Sequence, residues 1–160
     1  MGPFCDKSRI RLDGTLRDVD ESGRVTSVHR IIGAVIIALF LLLMVWGLTL
    51  RLMGRRDTPV AFWAAQHWTE NILVLQTVLG LVMLLIGYRV TGRPLIWFHY
   101  LYGSLFPLIA VVGGRIAALR REEREYVGLA WGACVASALT MRAVQTACGN
   151  TFADIAACFT

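Results

Sequence analysis

The chain has 160 residues, 56% of them hydrophobic and only 17% charged, whereas soluble domains sit nearer about half apolar and about a quarter charged. That composition excludes a soluble globular domain and leaves room for one membrane bundle with no second domain beside it. The net charge of +5 would suggest an anionic partner in a soluble protein, but here the arginines gather at the ends of apolar runs. That placement is membrane topology, and it points away from nucleic acid.

Residues 1–28 read as a polar, partly ordered surface tail in which Lys7, Arg9, Arg11, Arg17 and Arg24 offset Asp6, Asp13, Asp18, Asp20 and Glu21. It is not a signal peptide, because the acidic stretch and the apolar run after it are both too long. Residues 31–50, IIGAVIIALFLLLMVWGLTL, then run without a charge. About 20 apolar residues at 1.5 Å each cover a hydrocarbon core of about 30 Å. A loop with Arg51, Arg55, Arg56 and Pro59 leads to a second span at 68–90, with ILVLQTVLGLVMLLIGY as its body. After TGRP comes the third, LIWFHYLYGSLFPLIAVVGG, in which Pro107 predicts a kink. The run RREERE introduces the fourth, YVGLAWGACVASALTMRAV.

Each run spans only as a helix, since lipid offers no partner to unpaired backbone groups. The expected fold is an all-α, integral membrane, up-down-up-down four-helix bundle over residues 29–146. Its spans fall at about 30–52, 68–90, 95–119 and 125–145, with sequential helices adjacent and a short C-terminal tail at 147–160. Arg51, Arg55, Arg56, Arg115, Arg120, Arg121 and Arg124 lie in the first and third loops, against Arg24, Arg30, Arg89, Arg93 and Arg142 on the other side. The excess places those loops in the cytoplasm and both termini outside. Cys148 and Cys158 then share an exported tail where a disulfide can form. Cys134 is a packing residue within the fourth span, and Cys5 has no evident partner in the sequence.

Two of the three histidines share a context. His29 opens the first span in HRIIG and His99 the third in HYLYG, so each stands four residues before a glycine, Gly33 and Gly103. That spacing sets both on one helix face, where the missing side chain leaves room for a flat macrocycle. Spans one and three run in the same direction and are diagonal partners in an up-down bundle. With neighbouring axes about 8–10 Å apart, the diagonal is roughly 11–14 Å, suited to a bis-imidazole haem. Arg30, Arg89, Arg93 and Arg142 fall on the histidine side, where haem propionates need cations. Arg142 interrupts the apolar register of the fourth span, where charge is expensive. Gln76 and Gly80 in LQTVLG repeat the spacing on the second span, and a midspan glutamine needs an internal partner. The plainer readings are an interfacial His99 among Trp97, Phe98 and Tyr100, and glycines that serve helix packing. His67, in AAQHW at the other membrane face, reads as interfacial, with a second haem as the alternative.

The order HR-x-x-G, LQ-x-x-LG and then a histidine opening the next helix resembles one half of the haem A synthase family, across residues 26–118. The matching residues are His29, Arg30, Gln76, Leu79, Gly80 and His99. The resemblance implies a four-helix haem bundle with paired histidines near the outer face, in a half-size relative. Two features depart from it: Thr26 stands where the family's catalytic half carries a glutamate, and the extra helix comes last instead of first. Haem binding therefore carries over better than oxidation of a haem methyl group. TSVHRIIG is also similar to the segment that opens the membrane anchor of succinate dehydrogenase, but that family lacks counterparts of LQTVLG and HYLYG.

The expectation is a haem b protein with His29 and His99 as axial ligands. Two neutral imidazoles close the iron's coordination and suit electron transfer. The partners expected are the lipid bilayer of a bacterial plasma membrane, a quinone nearby, and a larger respiratory or photosynthetic complex. A haem-modifying oxidase is the enzyme alternative, against which no carboxylate is expected to be buried in any span; Glu70, at the start of the second span, is the nearest and lies at the wrong face. A scaffold or assembly subunit is the non-redox alternative.

Overall fold

The computed structural model describes residues 16–87, 96–121 and 123–159, and all regular structure in them is helical. Four of the helices are long and apolar enough to cross a membrane. Helix α1 covers Leu16–Leu52, about 55 Å at 1.5 Å per residue, well beyond the roughly 30 Å of a hydrocarbon core. Part of the segment expected as a tail is therefore helical, from Leu16 onward.

Helix α2 covers Val60–Leu85 and starts eight residues before the expected position. Pro59 caps it and accepts the backbone N–H of Phe62 at 2.9 Å. No charge interrupts residues 60–69, so nothing in them stops the helix from reaching back to the proline. The intervening loop turns at Gly54, with φ +66°, and docks on the start of the last long helix. There the buried Tyr126 donates its hydroxyl to the Arg55 carbonyl at 2.9 Å, and Arg124 N–H bonds the Arg56 carbonyl at 2.9 Å. The expected end of the second span at residue 90 lies outside the described residues.

The third span is α3, Ile96–Tyr100, a π-helical turn at Leu101–Leu105, and α4, Phe106–Leu119. Pro107 was expected to kink this span, and the widened turn stands immediately before it. Proline has no N–H to give the carbonyl four residues back, and its ring crowds that carbonyl. The helix relaxes by an i to i−5 bond from Phe106 N–H to the Leu101 carbonyl.

Helix α5, Glu125–Cys148, is the centre of the packing and touches every other helix. After Leu129 its buried face is small, with Gly132, Ala133, Ala136 and Ser137, and Gly128 stands a turn earlier, so α4 and α1 approach it closely. A Cβ at Gly128 would stand 2.5 Å from the Ala118 nitrogen, and one at Gly114 would stand 2.8 Å from Gly132 Cα. Ile36, Phe40, Leu43, Phe62, Leu73 and Leu129 complete the core. The outward faces carry Leu42, Val45, Leu75, Val78, Ile109 and Val112, all exposed.

The expected C-terminal tail contains a helix, α6, Phe152–Phe159. Thr151 and Asp154 cap it reciprocally, at 3.1 Å and 3.3 Å. Gly149, with φ +127°, turns the chain back so that Cys158 bonds Cys148 in a disulfide. Cys134 is free and Cys5 lies outside the described residues.

Gly128→Leu is expected to destabilise the bundle by about 1–3 kcal/mol, since its side chain would strike backbone. Gly113→Ala, where a Cβ meets nothing within 4 Å, is expected to be neutral. Thermal unfolding of both variants in detergent, followed by helical circular dichroism, checks the pair.

Candidate functional site

Toward the His29 end of α1 the small residues no longer bring helices together. They line a cavity of about 350 Å³, within the roughly 300–1,000 Å³ of small-molecule sites. Its wall includes His29, Arg30 and Gly33 from α1, Gln76 and Gly80 from α2, His99 from α3 and Gly103 from the π-helical turn. These seven residues, singled out in the sequence, share one space. Thr140, Ala143, Val144 and Ala147 of α5 close the far wall, and Cys148 and Cys158 also line it.

Each histidine is held differently. His99 Nδ1 lies 2.9 Å from the Ala143 carbonyl. A carbonyl only accepts, so Nδ1 carries the proton and Nε2 is left with the basic lone pair. His29 sits against α2 where Gly80 lacks a side chain: a Cβ there would stand 3.3 Å from His29 Cε1. Gln76 donates its amide to the His29 carbonyl at 2.7 Å, and the same nitrogen is 3.4 Å from His29 Nε2. The partner required by this midspan glutamine is therefore the backbone and ring of His29. Among the described residues, His29 Nδ1 and Gln76 Oε1 are buried without a hydrogen-bond partner. Leaving such atoms unsatisfied costs about 1–3 kcal/mol each, so they favour a guest with polar groups.

The arginines divide. Arg30 lines the cavity and donates to the Cys158 carbonyl and, at 3.3 Å, to Ser27 Oγ. Arg142 is exposed, bonds Gln145 Oε1 at 2.9 Å, and is not among the cavity residues. Its neighbour Ala143 faces the cavity, and one residue turns a helix by about 100°, which directs Arg142 outward. Arg89 and Arg93 lie outside the described residues.

A second polar group lies further along α2. Glu70 stands ten residues into the helix, its side chain only 13% exposed, and forms an ion pair with Arg115 of α4, whose Nε donates at 3.0 Å. Gln66 donates to the same carboxylate at 3.0 Å, while exposed His67 lies 3.4 Å from the Arg115 guanidinium. Sequence reading set Glu70 at the start of the span and Arg115 among loop charges. The early start of α2 moves the carboxylate about 15 Å inside its helix, where it meets the arginine. Groups of three or more metal-binding side chains are absent among the described residues.

Sequence reading did not single out Tyr100, Ser104, Thr140 or the α6 cysteine as cavity residues. Thr140 and Cys148 had a signal, since they fall at helical spacing with Ala143, Val144 and Ala147. The signal for Cys158 was its expected pairing with Cys148, which the disulfide bears out. Comparison with protein-family models, curated proteins and solved structures finds no match to the chain.

A double-mutant cycle of Glu70→Gln and Arg115→Gln, read by unfolding in detergent, is expected to give a coupling of about 0.5–3 kcal/mol. Additive effects would show that the pair does not hold α2 to α4.

Proposed function

We propose that this chain is an integral membrane protein that binds one haem b, with His29 and His99 as axial ligands, and serves electron transfer as a small cytochrome b subunit or carrier. The observation that carries the reading is the meeting of both histidines on one cavity with Gly33, Gly80 and Gly103 around them. Supporting it, the Ala143 carbonyl fixes the His99 tautomer with Nε2 as the free ligand atom. Gly80 leaves room for the His29 ring, and Gln76 holds the peptide that carries it. Arg30, at the cavity wall, offers a cationic donor for a propionate. The lining is mostly apolar, which raises the electrostatic weight of each polar group.

Bound haem would supply a one-electron iron couple, and two imidazole ligands leave no open position for oxygen chemistry. The residues present hold and orient, and no carboxylate lines the cavity among the described residues. That favours electron transfer over a haem-modifying oxidase. The electron partner is a quinol or a larger redox complex in the same membrane.

The reading includes insertion of the four long helices in an up-down-up-down order, supported by their length, apolar outward faces and short connections. It sets the cavity end on the exported side of a bacterial plasma membrane, with both termini outside. The Cys148–Cys158 disulfide supports that side, since disulfides persist in oxidising compartments.

The test is a reduced-minus-oxidised visible spectrum of the detergent-purified protein. The wild type is expected to give a low-spin haem b signal, which His29→Ala and His99→Ala each abolish. Gly80→Leu, which presses on the His29 ring, is expected to lower haem content severalfold while the helical content stays. A colourless wild type after expression with ample haem overturns the reading and leaves a scaffold role.

A further inference from the structure

The two histidines of the cavity meet unlike neighbours, and both neighbours bear on which ring nitrogen carries the proton. At His99 the Ala143 carbonyl, 2.9 Å from Nδ1, decides it, because a carbonyl only accepts. At His29 the neighbour is the side chain of Gln76, only 7% exposed. Its amide nitrogen lies 2.7 Å from the His29 carbonyl and 3.4 Å from His29 Nε2. The shorter contact fixes which end of the amide is nitrogen, since two oxygens without a hydrogen between them would repel at that distance. An added Cβ at Gly33 would stand 3.5 Å from the same nitrogen, so the amide is seated against α1 along the turn from His29 to Gly33.

An amide NH2 has two hydrogens and no lone pair to offer. One hydrogen goes to the carbonyl, and the second is available to the ring. Were His29 Nε2 protonated, two N–H groups would oppose each other in a mostly apolar space that screens them poorly. With the proton on Nδ1, Nε2 instead accepts from the amide. Nδ1 itself does not discriminate, because it is buried without a hydrogen-bond partner among the described residues and is unsatisfied in either tautomer. The choice is therefore made at Nε2. A separation of 3.4 Å is long for a hydrogen bond, so the contact biases the ring without competing strongly with a metal for the lone pair. The 2.7 Å bond to the carbonyl can persist whatever Nε2 binds.

We infer that Gln76 is a positioning residue that sets His29 in its Nδ1–H tautomer, as the Ala143 carbonyl sets His99. Both rings, on one cavity wall, thereby keep Nε2 unprotonated before a metal arrives. In free histidine the neutral ring favours the proton on Nε2, so neither ring would hold this tautomer unaided. Presetting both removes a rearrangement from the binding step, which raises affinity without a new contact to the guest. The use of this arrangement for iron rests on the haem reading, whereas the tautomer belongs to the protein alone.

The experiment is ¹⁵N NMR of the full chain, haem-free in detergent and labelled at histidine, at a pH well above the ordinary imidazole value of about 6.5. His67→Gln and His99→Ala remove the other two rings in turn, which identifies the His29 signals with that ring intact. In the wild type, His29 is expected to show a protonated Nδ1 and an unprotonated Nε2. Gln76→Met, which keeps the side chain's length and loses its donor, is expected to move the proton to Nε2. A wild-type His29 protonated at Nε2 overturns the proposal, and so does an unchanged tautomer in Gln76→Met protein that retains its helical circular dichroism. If Gln76→Met does not fold, the wild-type tautomer decides alone. Haem titration reads the consequence separately: Gln76→Met is expected to bind about 10–100-fold more weakly, and equal affinity overturns the positioning role. A wild type that takes up no haem overturns the haem reading, while the tautomer still decides the action of Gln76 on His29.

Discussion

Backbone-to-backbone contact along α5 is the constraint on which the rest of the structure depends. Gly114 and Ala118 of α4 meet Gly128 and Gly132, and Gly47 of α1 meets Ala130, at separations that admit no added side chain. In lipid no hydrophobic gain would draw helices together, so close packing of small residues and internal hydrogen bonds must hold them. The loop after α1 strengthens the same end, where buried Tyr126 binds it with both its backbone N–H and its hydroxyl. With the helices pinned there, the small residues near His29 cannot close on each other. Interiors are otherwise close-packed, and a cavity of about 350 Å³ stands out against that packing.

The third span is shaped by one proline. Pro107 forces the widened turn at Leu101–Leu105, and that extra residue per turn shifts the face presented by α3 relative to α4. Tyr100, Gly103 and Ser104 thereby line the cavity together with His99, while Val111, Gly114 and Ala118 stay buried on the α5 side. Local departures from α-helix of this kind are common at functional sites, and here the departure carries Gly103 and Ser104 of the cavity wall. The two histidines are oriented by unlike means, a carbonyl for His99 and a glutamine with a glycine gap for His29. Both devices act through neighbouring helices, so the site is a property of the packed bundle.

The polar groups outside the cavity do different work. Glu70 and Arg115 join α2 to α4, two helices with little other contact, and Trp63 adds a bond to Glu125 of α5 at 2.9 Å. Charges at that depth are tolerated because they are paired. They also separate the chemistry along the bundle axis, with the ion pair toward the arginine-rich loops and the imidazoles toward the disulfide.

The sequence by itself determined the number of helices long and apolar enough to cross a membrane, because long uncharged apolar runs admit only helices of that length. It also determined the shared face of each histidine with its glycine, because four residues return a helix to the same side. The co-location of His29 and His99 was legible from their matched depth on two parallel helices, whereas Gln76, read as midspan, was brought to His29 by the fold. The start of α2 at Val60, the docking of the first loop, the capped α6 helix and the outward turn of Arg142 were decided by tertiary structure alone. Hydropathy is summed along the chain and is blind to rotation about the helix axis, which separates Arg142 from Ala143. It is blind also to which charge a folded neighbour brings within reach, as Arg115 is brought to Glu70. Proline and disulfide geometry then fixed what periodicity left open.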